Sequence, residues 1–269
     1  MTCKNTDLIE RLRNGIHSGA RPCAVMFDFD GTLVLMRAGW MPVMLDMMME
    51  TLSSLGPDPA VLRDQAEDYV ARLTGSDTLV QMEAFASHVR SLGGSPRSAA
   101  DYKSEFLDRV NHARDARVAA LRQGAIGADD LMVPGSRALL DSLRAVGIPL
   151  FLASGTAHEV VAEEAKLLDI ERYFDGIYGS APANFTKREL LAHLISNGTP
   201  AARILTFGDG RVEIEDTREI GGTAVGVATD EPDCLEVDAK KRVWLIRAGA
   251  DFIIPNYLEA DLLSVLGIV

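Results

Sequence analysis

The chain has 269 residues, and 27 Lys+Arg against 39 Asp+Glu give it a formal net charge of −12. That surplus of acid argues against a nucleic-acid or anionic-membrane partner, and no segment approaches the roughly 18 consecutive apolar residues of a membrane span. Cys3, Cys23 and Cys234 are too few and too scattered for a disulfide framework or a metal knuckle, so the expected setting is a reducing cytoplasm and the expected partners are small molecules.

At 47% hydrophobic and 25% charged, the composition is that of a folded globular protein. The first 15 residues carry charge on both sides of their few apolar positions and lack the uninterrupted apolar stretch of a signal peptide. Residues 24–29 form a short apolar run of the kind that makes a buried parallel strand, ending in Asp30-Gly31-Thr32. From Trp40 the period becomes helical. Helices are predicted over 40–55, 60–73, 78–92 and 99–121, separated by Gly-Pro-Asp-Pro, Thr-Gly-Ser and Gly-Gly-Ser-Pro breaks.

Beyond Leu131 the pattern alternates. Strands are predicted over 148–153, 176–178, 203–207, 223–228 and 251–254, with helices after Pro134-Gly135, over 157–168, 186–196, 213–220 and 239–248, and at the C-terminus. Such alternation implies an α/β fold with a doubly wound parallel sheet and a site at the carboxyl ends of its strands. The all-helical block is then an insertion after the first strand, dividing the chain into a core of residues 1–36 and 131–269 and an inserted domain of residues 37–130. The inserted segment carries 10 basic and 14 acidic residues and the core 17 and 25, so neither offers a basic face.

Acidic clusters fall at two predicted strand ends: Asp28-Phe29-Asp30-Gly31-Thr32-Leu33 and Gly208-Asp209-Gly210-Arg211-Val212-Glu213. On adjacent strands, Asp28, Asp30, Asp209 and Glu213 would converge, and four carboxylates cannot all stay ionised in one crevice without a cation. Oxygen ligands with no accompanying His/Cys set suit Mg²⁺ better than Zn²⁺. Ser154-Gly155-Thr156 follows another apolar strand, where a hydroxyl and backbone N–H groups at a helix start make an anion site. Lys187 opens a further helix. A nucleophilic carboxylate, a divalent ion, a hydroxyl and an ammonium are the parts needed to hold and transfer a phosphoryl group.

These four segments resemble, in order, the four motifs of the haloacid dehalogenase superfamily. The helical insertion resembles the C1 cap of its phosphoglycolate phosphatase and β-phosphoglucomutase branch, with Val133–Leu143 resembling the segment that re-enters the core. The resemblance implies that Asp28 is the nucleophile that forms an aspartyl-phosphate and Asp30 the general acid and base. It also implies that Asp28, Asp30 through its carbonyl, Asp209 and Glu213 hold Mg²⁺, and that Ser154, Gly155 and Lys187 hold the phosphoryl oxygens. Two positions depart from the pattern. Glu213 stands where the family usually has aspartate, so its contact with the ion is direct or through water. Arg188 follows Lys187 where proline is frequent, which makes Arg188 a rival for the phosphate role.

Other residues have two readings. Arg37 and Trp40 either touch substrate or serve as a hinge and a buried anchor. Met36, Met41, Met44, Met47, Met48 and Met49 form either a soft core or a pliable cavity wall. His17, His88, His112, His158 and His193 share no metal-ligand spacing and are expected on helix surfaces, although His158 adjoins the Ser154 motif. Glu215 and Asp216 are expected as surface or helix-dipole residues. Gly221–Ala228 lacks the order of a nucleotide loop and is expected to be a closely packed strand. The expected activity is a Mg²⁺-dependent phosphatase acting on a small phosphorylated metabolite, a sugar phosphate. The alternatives are a β-phosphoglucomutase-like phosphosugar mutase, or a non-catalytic ligand-binding protein of the same fold.

Overall fold

In the computed structural model, residues 9–13, 21–55, 58–181, 183–231 and 234–268 are described. Cys3, His17 and most of the N-terminal segment lie outside them. Seven strands form one sheet: β1 (Glu10–Arg11), β2 (Ala24–Phe27), β3 (Leu150–Ala157), β4 (Gly176–Ser180), β5 (Ile204–Gly208), β6 (Thr223–Val227) and β7 (Phe252–Ile254). Their order is β1-β7-β6-β5-β2-β3-β4. All neighbours are parallel except β1, which runs antiparallel to β7 with Glu10 opposite Ile253. The two-residue β1 is too short to leave an alternating pattern, and the sequence did not announce it.

The central strands β2, β5 and β6 are buried at every residue, as strands must be when helices cover both faces of a parallel sheet. Four helices follow β2: α1 (Trp40–Leu52), α2 (Pro59–Leu73), α3 (Thr78–Ser91) and α4 (Ala99–Arg122). Asp58, Asp77 and Ser98 cap α2, α3 and α4 by accepting backbone N–H groups of the first turn. These helices bury their own apolar cluster around Met44, Met48, Leu52, Phe85 and Tyr102, separate from the sheet's. The methionines divide. Met44, Met47 and Met48 fill the helical cluster, whereas Met36 belongs to the core against the sheet.

The chain then returns through α5 (Ser136–Ala145), α6 (His158–Leu167), α7 (Lys187–Ser196), α8 (Arg211–Glu219), α9 (Ala239–Ala248) and α10 (Leu262–Val265). Gly221 to Ala228 contains β6, the close-packed strand expected there. Among the described residues no helix is long and apolar enough to cross a membrane.

Phe27 and Phe207, on neighbouring β2 and β5, stack with ring centroids 4.9 Å apart and planes 6° from parallel. The Tyr257 ring meets Phe207 edge-on at 5.7 Å, and its hydroxyl donates to the Thr32 carbonyl at 2.9 Å. This stack underlies the strand ends that carry the acidic clusters. Replacing Phe27 by Ala should cost about 3–5 kcal/mol in urea unfolding, the usual range for removing a buried aromatic ring; a loss below about 1 kcal/mol would contradict the stack's importance.

Candidate active site

Strand register assembles the site. Phe27 of β2 pairs with Phe207 of β5 and Leu152 of β3, so Asp28 and Asp209, which follow β2 and β5, and Ser154, within β3, lie at the same edge of the sheet. After Asp28 the backbone turns sharply, with the N–H groups of Leu33 and Val34 both donating to the Phe29 carbonyl at 3.0 Å. This turn ends β2 at Phe27, two residues short of the apolar run. Gly31 has a φ of 71°, and a Cβ there would lie 2.2 Å from Asp209 Oδ2. Only glycine permits both that conformation and that approach.

Lys187 opens α7 behind the N-cap Thr186, which exchanges hydrogen bonds with Glu189 in a capping box. Its Nζ lies 2.7 Å from Asp28 Oδ1 and 2.8 Å from Glu213 Oε2. The other Glu213 oxygen, Oε1, accepts the Gly210 N–H at 2.7 Å. Glu213 therefore orients Lys187 and closes the first turn of α8 as well as facing Asp28 and Asp209. On the opposite side Lys241, from α9, donates to Asp209 Oδ2 at 3.1 Å and to Glu231 Oε1 at 2.8 Å. Asp30 is clamped by Arg37 Nη1 at 2.7 Å and by the Thr156 hydroxyl at 2.8 Å. Arg37 also binds Glu164 of α6 through both terminal nitrogens, at 2.9 and 2.7 Å, and Arg114 of α4 reaches the same fully buried carboxylate at 2.7 Å.

Asp28, Asp30, Glu164, Asp209, Glu213 and Glu231 thus share Arg37, Arg114, Lys187 and Lys241, so acidic groups outnumber basic ones in this cluster. Burial pushes Asp28 well above the usual carboxylate range; Lys187 opposes the shift, and the charges of Glu213 and Asp209 add to it. Burial also pushes Asp209 up to about 6, against the pull of Lys241. Burial disfavours charge on Lys187, yet Asp28 and Glu213 hold it above its ordinary value. One carboxylate oxygen from each of Asp28, Asp209 and Glu213 lies within 4.8 Å of the others. The all-oxygen donor set and the excess of acidic over basic groups fit a hard divalent cation.

The inserted helices close over this edge. The loop Thr74-Gly75-Ser76 between α2 and α3 packs against it, with the Thr74 carbonyl accepting the Val212 N–H at 3.4 Å. Gly75 has a φ of 97°, and a Cβ would come within 2.3 Å of Glu213 Oε2. Between loop and sheet lies a cleft whose lining includes Asp28, Asp30, Asp209, Ser154, Gly155 and Arg37.

The structure therefore brings together all the site residues expected from sequence, with Lys187 and Glu213 buried just behind the lining. Arg188 points away, 63% exposed and paired with Asp216 and Glu219. Two expectations need correction. Ser154, Gly155 and Thr156 do not form a helix start, because β3 continues to Ala157 beside β4, with a register shift between Ala153 and Ala157, and α6 begins only at His158. The Thr156 N–H is accordingly spent on Ser154 Oγ at 3.1 Å. Asp216 is buried, held by Arg188, rather than a surface residue. Trp40 is half-buried, lining the cleft and packing on the helical cluster.

His158 stays out of the cleft lining, its ring accepting the Gly179 N–H at 3.4 Å. Sequence reasoning missed Lys241, Glu231, Glu164, Arg114 and the Thr74–Ser76 loop. Only the loop left a signal, the Thr-Gly-Ser break between two helices, and it was read as punctuation alone.

Residues 24–215 match the family described as haloacid dehalogenase-like hydrolase. The chain is 26% identical over 231 residues to a phosphoglycolate phosphatase of Synechococcus elongatus, covering 86% of this chain and 95% of that protein. It is 27% identical over 256 residues to a phosphoglycolate phosphatase of Pseudomonas fluorescens, covering 90% and 86% respectively. The fold is similar to that of a β-phosphoglucomutase from Clostridium difficile, with a TM-score of 0.57 at 14% identity, covering 91% of this chain and 97% of that one.

The charge deficit makes a prediction about metal and pH. Asp209 rises from an ordinary 3.8 to about 6, so its contribution to stability is complete below its unfolded pKa and is lost as pH rises through 6. In the presence of EDTA the melting temperature should fall between pH 5 and pH 7. Adding Mg²⁺ should restore it, with a clearly larger increase at pH 7.5 than at pH 5, where protons compete for the same oxygens. No Mg²⁺ effect, or an equal one at both pH values, would contradict a cation held by these carboxylates.

Proposed function

The chain belongs to the haloacid dehalogenase-like hydrolase family, and from that membership we propose that it is a Mg²⁺-dependent cytoplasmic phosphatase that hydrolyses a small phosphorylated metabolite, a sugar phosphate. The division into a core of residues 1–36 and 131–269 and a cap of residues 37–130 is part of this reading. The observation that carries it is the state of Asp28. One oxygen is tied to Lys187 at 2.7 Å, the residue lines the cleft, and a second carboxyl stands two residues away at Asp30. The phosphoglycolate phosphatase relatives support a phosphoric monoester as the substrate class.

A carboxylate in water is a weak nucleophile toward a phosphate ester, because both are anionic. Here Lys187 draws charge from the Asp28 carboxylate and presents an ammonium to the incoming phosphoryl group, and Ser154 offers a hydroxyl beside it. Asp28, Asp209, Glu213 and the Asp30 carbonyl would hold Mg²⁺, which supplies charge neutralisation for the phosphoryl oxygens. Asp28 attacks phosphorus, the bond from phosphorus to the leaving oxygen breaks, and Asp30 gives its proton to that oxygen. Water then attacks the same phosphorus, passing a proton to Asp30 and releasing inorganic phosphate with Asp28 restored. Arg37 and Thr156 hold the Asp30 carboxyl in place for both transfers.

Asp28→Asn should abolish phosphate release across a panel of phosphorylated metabolites assayed with Mg²⁺, while the melting temperature shows a folded protein. Asp30→Asn should lower kcat by about 10²–10⁴-fold, the range for a lost general acid–base group. Substantial turnover by Asp28→Asn would overturn the mechanism. Conversion of a hexose 1-phosphate into the 6-phosphate, in place of free phosphate, would assign a mutase.

A further inference from the structure

We propose that the cap end of the cleft is a specificity site for a neutral, hydroxyl-bearing leaving group, and that Gln81 is the residue that reads it. The proposal rests on the phosphatase reading and assigns the part of the cleft and the residue that would recognise its leaving group. Three features support it: the charges around the cleft, the shape of its wall and one orphaned atom.

Of the residues lining the cleft, Arg37 is the only one with a positive charge. Its Nη1 binds both Asp30 and Glu164, and its Nη2 binds Glu164. Among the described residues, Lys103 of the cap is held by Asp77 at 3.5 Å and does not line the cleft. A carboxylate on the leaving group, or a second phosphoryl group, would have to give up water without gaining a free cation, which is costly. A leaving-group ammonium fares no better. The carboxylates that line the cleft, Asp28, Asp30 and Asp209, all lie on the sheet side and are paired with Lys187, Arg37 and Lys241.

The wall itself is amphipathic. Trp40, Met44 and Phe106 supply an apolar face, and Thr78 and Gln81 stand among them. Gln81 is 6% exposed. Its Nε2 donates to the Ser76 carbonyl at 3.0 Å, which assigns the orientation of the amide, and its backbone carbonyl accepts the Tyr69 hydroxyl at 2.7 Å. Oε1 is left buried in a residue that lines the cleft, with no hydrogen-bond partner. Buried acceptors in native proteins are almost always satisfied, and a hydroxyl of the leaving group is a donor that would satisfy this one once the amide, which is closed off from solvent in this conformation, turns toward the cleft. A carbon skeleton with C–H groups on one side and hydroxyls on the other, as in a polyol or sugar, fits both halves of the wall.

The test compares kcat/KM, with Mg²⁺, for glycerol phosphate and hexose monophosphates, for propyl phosphate without hydroxyls, for phosphoglycolate and for phosphoethanolamine. The hydroxylated esters should lead. Gln81→Leu should lower kcat/KM on them by about tenfold, the usual loss of one neutral hydrogen bond, and narrow their lead over propyl phosphate. Gln81→Lys should raise phosphoglycolate relative to glycerol phosphate. A wild-type preference for phosphoglycolate or phosphoethanolamine would overturn the proposal and leave the phosphatase reading standing, as would an equal loss on propyl and glycerol phosphates in Gln81→Leu. Failure to release phosphate from any ester, p-nitrophenyl phosphate included, would overturn both.

Discussion

Everything around the cleft follows from carboxylates buried where β2 and β5 end. Parallel strands with apolar side chains on both faces carry Asp28 and Asp209 out of the core side by side. Little water reaches that position to solvate them, so each must find a cation or accept a proton. Lys187 serves Asp28, and Lys241 serves Asp209. Glu213 and Glu231 then bind the same two lysines, and the excess of negative charge returns. Two lysines that fully neutralised the cluster would leave nothing for a divalent ion to do. The retained deficit gives a divalent metal its place in the electrostatic balance.

The inserted helices act on this cluster in two ways. The Thr74–Ser76 loop lies directly on Glu213 and Gly210 and excludes water from one side of the cleft, which strengthens every charge interaction beneath it. The helices are also tied to the core by charge. Arg114 of α4 reaches Glu164, Lys240 of α9 reaches Glu67 of α2 at 2.6 Å, and the Gly39 N–H donates to Glu231 at 2.8 Å. Through Glu164 and Arg37 the first of these ties runs to Asp30. Through Glu231 and Lys241 the last runs to Asp209. How the helices sit on the core is thus coupled, by ion pairs at one end and a backbone hydrogen bond at the other, to both ends of the carboxylate cluster.

How much of this was legible in the sequence depended on distance along the chain. The parallel strands and the helices between them could be read because those strands are compact apolar runs and each acidic cluster lies within six residues of one strand end. Lys187 could be found because it starts a helix, but its advantage over Arg188 is a matter of direction: one side chain turns inward, and the other pairs with Asp216 and Glu219 on the outside. Lys241 and Glu231 were invisible. A lysine within Lys240-Lys241-Arg242 looks like ordinary helix surface, and only the β6–α9 connection brings it back to Asp209. Gln81 looked like one polar position of an amphipathic helix until packing left its oxygen without a donor. The extra length of β3 arises from pairing with β4, a long-range contact that local pattern does not carry.

The central claim is that Asp28 becomes covalently phosphorylated during turnover. An acyl phosphate can be trapped by borohydride, which reduces the phosphorylated aspartate to homoserine, and the modified position can then be located by peptide mass spectrometry. During turnover of a hydrolysed substrate with Mg²⁺, homoserine should appear at residue 28, and it should be absent when substrate is withheld. Substrate-dependent reduction at another carboxylate, or none at any residue while phosphate is being released, would contradict it.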